Sequence, residues 1–317
     1  MMSAKTTRRD CIVMIGCCLF LLACLGATGK RGRQLAFRMT CRANLNAMGK
    51  AMAVYASDYE DEYPKAGGRI NTWVPVLPNW IAVSRYHAYE LPVSVPEGKT
   101  TLTSNLYLLI KYAELTPKFF VCKGEPNTRE FTIEDAAGFV ELIDLWDFGP
   151  VTADSNPDQH CSYAYHLPFG LYALTTNSDP SMAVAADRSP WMTGSSSEVD
   201  DRWSAFVPEL TSGQGSRETA IQGNSLAHQQ DGQNVLFVDG SVRFERRSYD
   251  DQGTDNIYTY RPAMTFHRAE ITRKKGDELP LPYRFSDLDG PRPGDRHDTW
   301  LVNGNPEMYP RSTSHLR

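Results

Sequence analysis

CIVMIGCCLFLLACLGA occupies residues 11–27 and LAFRMTCRANLNAMGKAMAVYASDY residues 35–59, and no proline falls anywhere from Cys11 to Tyr59. The first run holds 17 residues without a charge. In the second, Cys41, Leu45, Met48, Met52, Tyr55 and Tyr59 recur at spacings of 4, 3, 4, 3 and 4, with Arg42, Asn46 and Lys50 between them. That is the period of a helix with one apolar stripe. At about 1.5 Å per residue the combined element would be roughly 74 Å long. A rod of that length serves no purpose inside a globular domain. An apolar half followed by an amphipathic half suits a helix that enters a membrane and then forms the spine of a domain beyond it.

Working outward, residues 1–10 form a leader carrying Lys5, Arg8 and Arg9. A basic leader before an apolar run is the pattern of a secretory signal or signal anchor, so residues 11–27 are read as a transmembrane or signal-anchor segment. Lys30, Arg31, Arg33, Arg38 and Arg42 follow, and charge counting alone would put the C-terminal side inside the cell. Leu21-Leu22-Ala23-Cys24 has the form of a lipobox, which makes Cys24 a candidate for lipidation.

The spine extends over residues 28–63 and stops at Pro64. Residues 64–273 read as an α+β domain, and residues 274–317 as a polar, Pro-rich and poorly ordered tail. The stretch from Ala66 to Lys99 reads as irregular, packed through Trp73 and Trp80. Thr103-Ser104 offers a cap for a helix over Asn105–Glu114. Phe119–Cys122, Ser162–Tyr165 and Ala183–Ala186 read as strands, Glu130–Asp147 is ambiguous, and Gly194–Gln222 reads as a surface loop. Asn234–Glu245 is two β-rich runs around Asp239-Gly240, a hairpin with a type I′ turn.

The totals narrow the function. A net charge of −5 over 317 residues argues against nucleic acid as a partner. Of seven cysteines, four lie in the apolar run and Cys41 on the spine. Cys122 and Cys161 in the domain read either as a disulfide or as buried core thiols. His160, Cys161 and His166, with Cys122, match no common zinc spacing. His228 and Asp239 have neither a nucleophile nor an orienting partner in sequence, and Asp239 is accounted for by the turn. His228 is read as bonded to backbone at the base of the hairpin. Asp250, Asp251 and Asp255 form an oxygen-rich cluster that suits calcium or a solvated loop.

Three stretches together resemble one family. Cys41 to Tyr55, followed by Asp58 and Pro64, is similar to the post-membrane helix of bacterial type II secretion pseudopilins of the G-like kind. Phe119–Cys122 and Cys161–Tyr165 resemble two mid-domain strands of those proteins. HQQDGQNVLFVDG, residues 228–240, resembles the hairpin that marks a planctomycete-type branch: a His, nine residues, then Asp-Gly. Here ten residues separate His228 from Asp239-Gly240. The resemblance implies a pilin-like fold, with a long N-terminal helix packed on an antiparallel sheet and an extracytoplasmic domain on an inner-membrane anchor. It also implies a calcium loop near the end of the sheet. The expected function is non-enzymatic, through contacts with the membrane and with other pilin-like or secretion-system subunits, with no small-molecule substrate. The family's leader reads Gly-Phe-Thr-Leu-x-Glu, and this chain has Asp10 in place of the Gly and no Glu in the apolar run. That departure keeps a second reading open, an anchored extracytoplasmic binding protein that does not assemble into filaments.

Overall fold

A computed structural model describes residues 7–68, 70–91, 97–125, 128–136, 141–150, 156–168, 170, 172–188, 221, 223–248, 255–259, 293 and 296–303, with the backbone alone at 23–28, 30, 70, 97, 135 and 136. Helix α1 runs unbroken from Arg8 to Asp58. Thr7 caps it: its hydroxyl accepts from the Asp10 N–H, while the Asp10 carboxylate accepts from the Thr7 N–H at 2.8 Å. This reciprocal arrangement satisfies two of the donors that a helix start leaves open. Among the described residues, no helix is long and apolar enough to cross a membrane.

The C-terminal half of α1 is buried in the way its periodicity predicts. Cys41, Leu45, Met48 and Met52 are fully buried and Tyr55 nearly so, while Arg42 and Lys50 face solvent. Burying a Leu or Met of this kind stabilises by about 1.5–3 kcal/mol. The stripe rests on a five-stranded antiparallel sheet with the order β6-β5-β4-β3-β7. Its strands are β3 (Tyr163–His166), β4 (Ala183–Asp187), β5 (Gln233–Phe237), β6 (Val242–Glu245) and β7 (Leu301–Val302). The architecture is therefore α+β with an antiparallel sheet, as the sequence reading holds.

Helix α3 (Leu102–Ala113) packs on α1 and is buried from Leu102 to Ile110. Its cap is Thr101, not Thr103 or Ser104. Thr101 is extended, its hydroxyl takes the Ser104 N–H, and the Ser104 hydroxyl takes the Thr101 N–H. Between the two helices, β1 (Ile70–Trp73) and β2 (Glu97–Thr100) pair in parallel, with the short α2 (Arg85–Ala88) between them in sequence. Regular structure therefore exists where the proline content suggests an irregular loop. Among its described residues, the ambiguous Glu130–Asp147 stretch contains two 3-10 turns, Ile133–Ala136 and Leu142–Asp144.

Three further expectations are corrected. Phe119–Cys122 is not a strand: Pro117 starts a 3-10 turn over Pro117–Phe120, since its fixed φ suits a first helical position. The hairpin forms, but its turn is not type I′. Gly240 N–H bonds the Phe237 carbonyl at 2.9 Å and Phe237 N–H the Ser241 carbonyl at 3.0 Å, and of Val238, Asp239 and Gly240 only Gly240 (φ 78°) has positive φ. That is a three-residue loop closed by a glycine in the left-handed region. Thirdly, the tail is not wholly without order. Trp300, Leu301 and Val302 are fully buried and β7 lines the free edge of β3. A buried Trp-Leu-Val run outweighs the polar, Pro-rich average of the residues around it. The Gly194–Gln222 stretch apart from Ile221 lies outside the described residues.

Candidate functional site

Where α1 crosses the sheet, the fold gathers polar groups into a dry interior. Cys41 lies on the buried stripe. Asn44, three residues on, is also turned inward, donating to the Val121 carbonyl at 3.1 Å and the Tyr163 hydroxyl at 3.0 Å. The 3-10 turn Pro117–Phe120 delivers Cys122, whose N–H donates to the Ser162 hydroxyl at 2.9 Å. Asp187 closes β4. A second 3-10 turn, Leu226–His228, brings in His228, and Asn234 follows on β5. Gly124 lets the two loops meet, because a Cβ there would lie 2.2 Å from the Ala227 carbonyl oxygen.

His228 Nε2 stands 2.9 Å from Asp187 Oδ2, and both side chains are fully buried. The same oxygen accepts from the Asn234 backbone N–H at 2.6 Å and from its side-chain amide at 3.0 Å. Because a carboxylate only accepts, the contact assigns the imidazole proton to Nε2. Two atoms are left over: among the described residues, His228 Nδ1 and Asp187 Oδ1 are buried without a hydrogen-bond partner. Each such orphan costs about 1–3 kcal/mol. Cys41, Cys122, Asp187 and His228 each present a potential ligand atom within 4.8 Å of the others.

Cys122 forms a disulfide with Cys41, Cα atoms 5.6 Å apart and 81 residues apart in sequence. This corrects the Cys122–Cys161 pairing. Cys161 is a free, buried thiol whose Sγ lies 3.5 Å from the Tyr163 carbonyl, and burial pushes its pKa up to about 12. The residue assigned to the helix, and so set aside, is the true partner. Helix and loop are brought together by packing that no spacing rule encodes.

Beside the cluster, Arg188 pairs with Glu125 at 3.1 Å and donates to the Asp158 and Cys161 carbonyls. Burial nevertheless raises the Glu125 pKa above its usual value, with Arg188 opposing. The remaining candidates fall elsewhere. His228 and Asp239 sit at opposite ends of β5, and exposed Asp239 accepts from the Ser241 N–H at 2.8 Å, so they are not a pair. His228 bonds a buried carboxylate, which corrects its reading as a partner of nearby backbone. His160 meets Phe131 edge-on and lies stacked towards Phe148, with Nδ1 against the Arg129 carbonyl. His166 is held neutral by burial, its pKa lowered to about 4. Asp255 is buried and accepts from the Thr299 N–H at 2.6 Å, while Asp250 and Asp251 lie outside the described residues. The side chain of Cys24 does too.

Sequence reasoning misses Asn44, Asp187 and Asn234. For Asn44 a signal exists, since position 44 belongs to the same helical face as Cys41, Leu45 and Met48. A polar residue inside an apolar stripe marks a buried bond. Asp187 ends a run of alanines and carries no local mark.

Set against known proteins, the chain matches no protein-family model, no curated protein and no solved structure.

Proposed function

We propose that this chain is a pseudopilin-like envelope protein. It has a single-pass anchor in the inner membrane and an extracytoplasmic domain, and works without catalysis through contacts with pilin-like or secretion-system subunits. The observation that carries this reading is the division of α1. One continuous helix buries its stripe in the domain from Cys41 onward. Towards its start it exposes Ile12, Val13, Met14, Ile15, Leu19, Phe20, Leu21 and Leu22, each more than half accessible. Consecutive apolar residues exposed on all sides suit an apolar surrounding rather than a groove on one partner. The charge-free sequence continues to Ala27. A non-catalytic role is supported by the closed cluster: Asp187 and His228 are fully buried, so no substrate reaches them.

A second reading, an anchored binding protein that does not assemble, is favoured by Asp10. This residue replaces the glycine of a prepilin cleavage site and is occupied in capping the helix, which suits a leader that stays in place. Mass spectrometry of the mature N-terminus separates the two readings. A methylated internal residue supports assembly, and an intact Met1 or a diacylated Cys24 supports the anchor. Topology is tested at exposed Val83: Val83→Cys should react with a membrane-impermeant maleimide once the outer membrane alone is permeabilised. Protection there overturns the extracytoplasmic placement. Cys11, Cys17 and Cys18 are free and exposed, so oxidation in membranes should give dimers if copies pack through this half.

A further inference from the structure

The cluster under α1 contains more than a disulfide needs. Two sulfurs suffice for the bridge between Cys41 and Cys122, yet a buried imidazole and a buried carboxylate bring potential ligand atoms within 4.8 Å of them, each with one polar atom that has no hydrogen-bond partner among the described residues. We propose that, when the two cysteines are reduced, Cys41, Cys122, His228 and Asp187 bind a zinc ion, and that zinc and the disulfide are alternative crosslinks at the same point.

The donor set is the first argument. Two soft thiolates, one borderline imidazole and one hard carboxylate are all ligand types that borderline zinc accepts, in the number a four-coordinate zinc takes. Geometry is the second. Around a tetrahedral zinc, with Zn–S about 2.3 Å and Zn–N about 2.1 Å, ligand atoms lie roughly 3.3–3.8 Å apart. Here the four potential ligand atoms lie within 4.8 Å of one another, so side-chain rotation of about 1 Å brings them into range. Separated Cα atoms at 5.6 Å leave room for the sulfurs to move apart once the bond opens. Asn234 supplies outer support: its two donors fix Asp187 Oδ2, as hydrogen bonds commonly orient a metal-ligating carboxylate. Burial is the third argument, since all four residues are closed to solvent and a structural site leaves no open position.

The chemistry balances in two steps. A dithiol reductant opens the Cys41–Cys122 bond, becoming a disulfide itself and leaving two protein thiols. Zinc then displaces one proton from each thiol as the two Zn–S bonds form. In either state α1 is tied to the turn before Cys122. With zinc it is tied to β4 and to the turn before β5 as well. Exposed free cysteines Cys11, Cys17 and Cys18 belong to the first part of α1 and are not ligands in this set.

The test uses the full chain in detergent, carrying Cys11, Cys17, Cys18, Cys24 and Cys161 as serines, so that Cys41 and Cys122 are the only thiols. Reduced under anaerobic conditions and then titrated with Co²⁺, it should take up one equivalent and give the absorption of tetrahedral cobalt–thiolate. Zn²⁺ should displace the cobalt and protect both thiols from a thiol reagent. The oxidised chain should take up none. Asp187→Asn should weaken Co²⁺ binding by at least roughly 10–100-fold, the usual loss when even a group that orients a ligand is altered. If reduction unfolds the chain, recovery of its circular dichroism on adding Zn²⁺ supports the site, and failure to recover overturns it. Equal uptake by the oxidised and reduced chains, or no cobalt–thiolate absorption in a folded reduced chain, overturns it too.

Discussion

Leu19 and Leu45 are leucines on the same unbroken helix, yet Leu19 is 62% exposed and Leu45 fully buried. Nothing in either side chain separates them; their neighbours do. Around Leu19 every position from Ile12 to Leu22 is apolar or small, so no face of the helix is marked for one partner. Around Leu45, Arg42 and Lys50 point outward and the apolar residues fall on one line. An all-round apolar helix calls for a solvent, whereas a striped one calls for a surface. The domain supplies the surface, in β4, β5, β6 and α3.

The sharpest way to break this contrast is to put one charge in each half. Met48→Asp places a carboxylate in the dry seam against the sheet and should cost several kcal/mol, with loss of the unfolding transition or a large fall in its midpoint. If the first half is the proposed anchor, Leu19→Asp should leave the domain's midpoint unchanged while the chain fails to float with lipid vesicles, since an acid at a membrane centre costs about 2.5–3.5 kcal/mol. A fall in the midpoint for Leu19→Asp would show that the first half also packs on the domain. A stable Met48→Asp would show that the stripe faces something else.

The next effect is a matter of protons, and both groups belong to the covered part. Asp147 is buried beside the cap of α3, and burial raises its carboxyl to about 7 against hydrogen bonds from Thr101, Thr103 and the Phe148 N–H. The folded chain therefore keeps a proton that the unfolded chain loses near 3.8. Its contribution to stability is complete below about pH 4 and is lost as pH rises to about 7. His166 acts in the opposite sense. Burial lowers its pKa from 6.5 to about 4, so its contribution is complete above 6.5 and is lost as pH falls towards 4. The two oppose each other between pH 4 and 6.5, so their contributions to the parent's urea midpoint largely cancel there. Asp147→Asn should give a midpoint that rises with pH across that window, and His166→Gln one that falls. Flat curves for both variants would remove these groups from the pH dependence.

A smaller effect belongs to the hairpin that gives the stripe part of its surface. Gly240 has φ 78°, with open space where a Cβ would point. Gly240→Val is therefore penalised by backbone strain alone, at roughly 1–3 kcal/mol, seen as a lower thermal midpoint. Gly240→Asn, which tolerates this region better, should recover most of the loss.

How much of this was legible in the sequence depends on the distance over which each feature is encoded. The stripe of α1, the hairpin and β4 rest on local periodicity, and the residues display it. The turn type at Asp239-Gly240 was misread because a positive φ is needed at one residue rather than two, and Asp-Gly satisfies either form. β7 was hidden because its two residues gain their order from β3, far away in the chain. The Cys41–Cys122 link and the Asp187–His228 contact were not legible at all. Each joins segments whose approach depends on how the whole stripe settles on the sheet, and spacing does not record that.

The finest comparison uses two glycines of α1. At Gly16 nothing lies within 4 Å of an added Cβ, while at Gly49 it would meet Leu236 Cδ1 at 2.8 Å. In a helix interior alanine is favoured over glycine by about 0.8–1.0 kcal/mol. At Gly49 that gain is set against displacement of a buried leucine on β5. Leu236 is buried, so the clash must be relieved by moving its side-chain end within the core, and we expect Gly49→Ala to be neutral or destabilising by about 1 kcal/mol. The same change at Gly16 meets no atom of the chain and should not lower the domain's midpoint. If a second helix approaches the first half of α1 closely at Gly16, as small residues permit in membranes, Gly16→Ala should reduce the dimers formed on oxidising Cys17 and Cys18. An unchanged dimer yield, with Gly49→Ala also silent, would mean that neither glycine marks a contact. The two halves would then differ in their cover but not in how closely anything approaches them.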